Sequence, residues 1–127
     1  MGDMRCVLDT DVLVAGLRSA KGASRELLLM VARGELVVVA SIAMMIEYEA
    51  VLKRPMHLKA ANITAEQVDT FLDGFSALCV PITPHFIWRP VLRDPDDEMV
   101  LEAAVNGQVD WLVTFNTRHF SHATQRF

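Results

Sequence analysis

Four carboxylates fall within six residues at Arg93-Asp94-Pro95-Asp96-Asp97-Glu98, directly ahead of an apolar run over 99–105. Acids and a proline in this position stabilise a helix start, with Asp94 as N-cap, Pro95 at the first helical position and the acids that follow facing the positive end of the helix dipole. Helical phase singles out one of the four. Asp97 lies one turn before Val100 and Leu101 and two before Ala104, on the stripe that must face the core, whereas Glu98 and Glu102 fall on the other side. An ionised carboxylate turned inward requires a basic side chain or a bound cation. Its chemistry therefore depends on which other residues converge on it.

Asp9 is the first of these, since it ends the apolar run Cys6-Val7-Leu8 and so sits at the carboxyl end of a first strand, where open α/β sheets place their ligands. Asp11, or Thr10 before it, is read as the cap of the helix that follows. Two further acids, Glu47 and Glu49, share one helix and are separated by phase. Glu49 stands four residues before Lys53, the spacing of a solvated ion pair, while Glu47 sits between Met44 and Val51 at the flank of the buried side. Asn116 follows the last apolar run, Trp111-Leu112-Val113-Thr114, and Thr114 is read either as bonding a neighbouring carboxylate or as a strand-end residue that fills space. Arg18, Lys21 and Arg25 cluster around a loop and are the candidate contacts to a phosphate backbone.

The elements that must position these groups are legible from apolar periodicity and end signals. Strands are expected over 5–8, 36–40, 78–82 and 111–114, the third at a sheet edge because Pro81 lacks an amide donor. Helices are expected after Asp9, over 23–33, and from a Ser41 cap to about 53, closed by Arg54-Pro55, with Met44, Met45, Tyr48, Val51 and Leu52 on its core side. Two more are expected over 65–77 from a Thr64/Gln67 capping box, with Val68, Phe71, Leu72 and Phe75 facing in, and over 96–106, ended by Gly107. Residues 57–62 are read as a polar connector, and 84–93, with Phe86 and Trp88, as an irregular loop. This is an α/β pattern, a three-layer α/β/α sandwich with a four- to five-stranded parallel sheet. Right-handed crossovers put all strand carboxyl ends on one edge, so Asp9, Glu47, Asp97 and Asn116 are expected to converge there. Three carboxylates without a Lys or Arg among them would repel, and oxygen-only coordination suits Mg²⁺ or Mn²⁺.

A chain of 127 residues that is 52% hydrophobic is expected to form one domain over 1–127. A net charge of -4, from 12 basic and 16 acidic residues, excludes a strongly basic nucleic-acid binder and leaves any phosphate to local patches or a metal. Cys6 and Cys79 lie in apolar runs without zinc-type spacing, as reduced core residues of a cytoplasmic protein would. No apolar run reaches the length of a membrane span.

The order and spacing of these features resemble the PIN domain family, and within it the toxin components of type II toxin–antitoxin systems. The resemblance rests on Val7-Leu8-Asp9-Thr10-Asp11-Val12-Leu13-Val14, on Glu47-Tyr48 with Val51-Leu52 and Arg54-Pro55, on Asp94-Pro95-Asp96-Asp97 with Val100, and on Leu112-Val113-Thr114-Phe115-Asn116 with Phe120. It implies a Mg²⁺- or Mn²⁺-dependent endoribonuclease whose metal is held by Asp9, Glu47 and Asp97, acting as a homodimer or higher oligomer and inhibited by a cognate antitoxin. Three positions depart from the family's pattern. Asp11 replaces a usual Asn, and Asn116 replaces a fourth acid, so one carboxylate is missing from a second metal's set. The chain stops at Phe127 where a further strand is usual, which implies a missing final strand. Two alternatives follow from the same residues. Asp9-Thr10-Asp11 also resembles the nucleophile motif of haloacid dehalogenase-like phosphatases, and the loss of an acid at Asn116 is compatible with a degenerate PIN fold that only binds RNA or a protein.

Overall fold

The computed structural model describes residues 4–83 and 95–115, with the backbone alone for 95–98. The order of elements is β1 (Arg5–Leu8), α1 (Thr10–Arg18), α2 (Ala23–Ala32), β2 (Val37–Ala40), α3 (Ile42–Leu52), α4 (Pro55–Ala61), α5 (Ala65–Leu78), β3 (Val80–Pro81), α6 (Pro95–Gly107) and β4 (Trp111–Val113). The four strands form a parallel sheet in the order β3-β2-β1-β4. Successive residues Cys6, Val7 and Leu8, and again Val38, Val39 and Ala40, are all buried, so both faces of the two central strands are covered, as a sheet packed between helices requires. The architecture is the expected α/β one, and β3 with its Pro81 takes an edge.

Helix termini follow the chemistry of their sequences. Ser41 caps α3 by accepting from Met44 N–H at 3.1 Å. Thr64 and Gln67 form a reciprocal capping box at the head of α5, Thr64 Oγ1 accepting from Gln67 N–H at 3.1 Å and Gln67 Oε1 from Thr64 N–H at 2.9 Å. The buried faces of α3 (Met44, Tyr48, Val51, Leu52) and α5 (Val68, Leu72, Phe75) carry the expected phase. Burial pushes the thiols of Cys6 and Cys79 up to about 11 and about 12, and both are free, as inert core residues are. None of the helices in the described residues is long and apolar enough to cross a membrane.

Two local expectations are corrected. The stretch read as a polar connector at 57–62 is helix α4: Pro55 opens it at the first helical position rather than merely closing α3, and Asn62 ends it in the left-handed conformation at φ 57°. Gly107 is the last residue of α6, and the positive φ falls on Gln108 instead. The glycine is needed for close approach, because a Cβ there would stand 2.9 Å from Val39 Cγ2. Glu102 is half-buried, less covered than the buried Val100, Leu101 and Ala103 of the same helix.

His57 on α4 sits against Leu17, Arg18 and Leu52, and its Nδ1 is buried without a hydrogen-bond partner among the described residues. Burial first, and then the charges of Arg18 and Arg54, lower its pKa below the ordinary value of 6.5. The folded chain therefore holds this imidazole neutral where the unfolded chain begins to protonate it. Stability contributed by His57 is present above about pH 6.5 and is lost as the pH falls towards the depressed folded value. Denaturant unfolding at pH 7.5 and 5.5 is expected to show a smaller loss of stability on acidification for His57→Gln than for the parent chain. Equal losses in both would refute this role.

Candidate active site

Strand register places the first carboxylate. Leu8 of β1 is level with Val113 of β4, and Asp9 N–H donates to the Val113 carbonyl at 2.9 Å, so Asp9 and Thr114 leave neighbouring strands side by side. Asp9 is only 7% exposed. Its Oδ1 accepts from Thr10 N–H at 2.8 Å and its Oδ2 from the Thr114 hydroxyl at 2.6 Å. The N-cap of α1 is thus Asp9, and Asp11 belongs to the first turn, the reverse of the expected assignment. Of the two readings of Thr114, the bond to a carboxylate is the one present.

Asp11 turns towards the same point. Its Oδ2 accepts from Phe115 N–H at 3.1 Å and lies 3.5 Å from Thr114 Oγ1. A hydroxyl has one proton, and the 2.6 Å contact to Asp9 claims it, so the 3.5 Å approach to Asp11 is the weaker of the two. Burial and then the charge of Asp9 raise the pKa of Asp11, while hydrogen bonds from Phe115 N–H, the Thr114 hydroxyl and Val12 N–H pull the other way. Ion pairs among the described residues join Arg33 to Glu26 and Glu35, and Lys53 to Glu49 and Asp69; none involves Asp9.

The strand that delivers Asp9 is held from below by α3. Tyr48, wholly buried, reaches across to donate its hydroxyl to the Leu8 carbonyl, one residue before Asp9. Its ring meets Phe75 edge-on at 6.1 Å. Burial first, and then the Cys79, Asp9 and Cys6 groups, hold the Tyr48 pKa well above 10, so it remains a neutral donor. Glu47, the preceding residue, is half-buried, whereas Glu49 is exposed and pairs with Lys53 at 2.9 Å as its spacing implied. Asp97 lies in the first turn of α6, and its side chain is outside the described residues, as are Asp94 and Asn116. Among the described residues no three His, Cys, Asp or Glu side chains form a metal-holding group. Of the basic cluster, Arg18 and Lys21 are exposed, and Arg25 turns its guanidinium to the carbonyls of Gly16, at 2.5 Å, and Leu17, at 3.5 Å.

Topology explains why acids gather here. The chain moves from β1 to β2 to β3 in one direction and then returns past β1 to β4, so the sheet order reverses between β1 and β4. Ligands of open α/β sheets bind at such a switch point, outside the strand carboxyl ends. Asp9, Asp11 and Thr114 stand at that switch point.

A family model for the PIN domain matches residues 5–118, nearly the whole chain. The chain belongs to the PIN domain family. No curated protein and no solved structure gave a match. PIN domains are in general nucleases and typically use divalent metals, which sets aside the phosphatase alternative. Asp9, Glu47, Asp97 and Asn116 all fall within the matched span. The described part of this strand edge suits a hard cation: its charged groups, Asp9 and Asp11, are oxygen donors that both approach the Thr114 hydroxyl, and Asp9 has no ion-pair partner among the described residues. Sequence reasoning ranked Tyr48 only as a core residue. The signal was its neighbourhood to Glu47 on a buried helix face, but a hydrogen bond to a strand carbonyl forty residues away leaves no local pattern.

Proposed function

We propose that the chain is a Mg²⁺- or Mn²⁺-dependent endoribonuclease that hydrolyses phosphodiester bonds in RNA. The observation that carries this reading is the Asp9–Asp11–Thr114 cluster at the sheet's switch point in a PIN domain. Asp9, Glu47 and Asp97 would hold the cation. When bound, it would offset the negative charge of the phosphate and make water a better nucleophile. The protein's own contribution is positional. Thr114 fixes the Asp9 carboxylate through one oxygen and the Thr10 amide fixes it through the other, so the group meets its ligand already oriented. Tyr48 holds the strand end that carries it. Asn116 would orient water through its amide, and Arg18 and Lys21 would meet the phosphate backbone away from the scissile bond.

The same proposal includes a toxin role, with a homodimer and a cognate antitoxin as partners. Its support is an apolar face on α3. Ile42 and Ile46, four residues apart, are 78% and 62% exposed beside Met45 and Leu72, a hydrophobic surface on a helix that is apolar on nearly every side.

Asp97→Asn is expected to abolish Mn²⁺-stimulated cleavage of RNA with the circular dichroism spectrum and melting behaviour retained. Undiminished cleavage would remove Asp97 from the metal set, and a parent chain that binds RNA without ever cleaving it would favour the non-catalytic alternative.

A further inference from the structure

Acids are unevenly spread along this chain. None of its 16 Asp and Glu residues falls within 12–25 or within 50–65, yet the first stretch holds Arg18, Lys21 and Arg25 and the second Lys53, Arg54 and Lys59. Folding brings the two stretches together. Helix α4 packs against α1, with His57 against Leu17 and Arg18 while its N–H donates to the Arg54 carbonyl at 2.9 Å. The charges of Arg18 and Arg54 both reach that imidazole. The result is a face made by the end of α1, the loop after it and α4, segments that carry cations and no acid.

Partners sort the cations further. Arg5 and Arg25 donate to backbone carbonyls, and Arg33 and Lys53 pair with carboxylates. Arg18, Lys21, Arg54 and Lys59 are exposed and have no ion pair or side-chain hydrogen bond among the described residues. All four belong to this one face. Like charges gathered on one side of a chain with a net charge of -4 repel one another unless an anion offsets them. A single bound anion needs its donors to converge on one point, whereas four cations spread over three segments match the repeated charges of a polymer.

The face also lies at a useful distance from the proposed site. Helix α1 starts beside Asp9 and its 9 residues end at Arg18, about 12 Å further along at 1.5 Å per residue. A nucleic-acid strand advances about 3.4 Å per phosphate, so Arg18 stands about three or four phosphates from Asp9. We infer that this face is the track for the backbone of an RNA strand whose scissile phosphate lies at Asp9, with Arg54 and Lys59 of α4 completing the contacts of Arg18 and Lys21. Arg25 leaves that set, because its guanidinium ties α2 to the carbonyls at the end of α1. The inference rests on the ribonuclease reading for the identity of the polyanion, though backbone binding itself requires neither metal nor turnover.

The test is fluorescence anisotropy of a labelled oligouridylate of about 20 nucleotides with the full chain, in EDTA so that nothing is cleaved, between about 50 and 200 mM salt. With four phosphate contacts the logarithm of affinity is expected to fall against that of salt with a slope of about -2.8, and Arg54→Gln and Lys59→Gln should each weaken binding and flatten the slope by about 0.7. Arg33→Gln removes the same charge from α2 and should leave the slope unchanged. The two track variants are read separately, so that a shifted melting curve in one leaves the other to decide. A parental slope in both, or an equal flattening by Arg33→Gln, would overturn the track. Binding to phosphatidylserine vesicles but not to oligouridylate would assign the face to a membrane and overturn it as well. A chain that binds RNA through these four cations yet never cleaves it would keep the track and refute the nuclease, and a chain that cleaves RNA with binding indifferent to them would do the reverse.

Discussion

Asp9→Asn is expected to reduce Mn²⁺-stimulated RNA cleavage by at least about a hundredfold while leaving the fold in place. The bound is set by the neighbouring shell: loss of a group that only orients a metal ligand typically costs about 10–100-fold, and Asp9 is proposed as a ligand itself. The substitution is mild structurally. Asn caps helices as well as Asp does, its amide oxygen can keep the 2.8 Å bond from Thr10 N–H, and the Thr114 hydroxyl can rotate to accept from the new NH₂ group. What disappears is the negative charge. A variant with parental cleavage would show that the charge at the strand end is a helix cap and nothing more.

Tyr48→Phe is expected to lower stability by about 1–3 kcal/mol, the cost of leaving the buried Leu8 carbonyl without its donor. The ring and its edge contact with Phe75 remain, so the loss isolates the hydroxyl. Both the denaturant midpoint and the melting temperature should fall, the latter by several degrees for a chain of this size. Cleavage should fall with it, because the carbonyl is one residue from Asp9 and an unanchored strand end no longer fixes that carboxylate. An unfolding free energy within about 0.5 kcal/mol of the parent would mean that Tyr48 acts by packing alone.

Much of the fold was readable because its signals are local. The Thr64/Gln67 box, the Ser41 cap and the Glu49–Lys53 pair each need only a few residues of one helix, and each is present. Uninterrupted apolar runs at 6–8 and 37–40 likewise announced strands covered on both sides. Failures came where one residue served two purposes. Pro55 both stops α3 and starts α4, and reading only the first hid a helix. Asp9 is at once a strand end, a helix cap and the partner of Thr114, so an argument from capping preference alone gave the cap to the wrong residue. Gly107 looked like a terminator and is a close-packing residue against Val39, a distinction that depends on a strand far away in sequence. The Tyr48 anchor has the same origin, because it depends on how separate elements meet.

The central claim is that Asp9, Glu47 and Asp97 hold one divalent cation, and calorimetric titration of the chain with Mn²⁺ tests it most directly. Saturable binding at or below millimolar Mn²⁺, lost in Asp9→Asn, Glu47→Gln and Asp97→Asn alike, is the predicted result. No binding at millimolar Mn²⁺, or binding that survives all three substitutions, would contradict it.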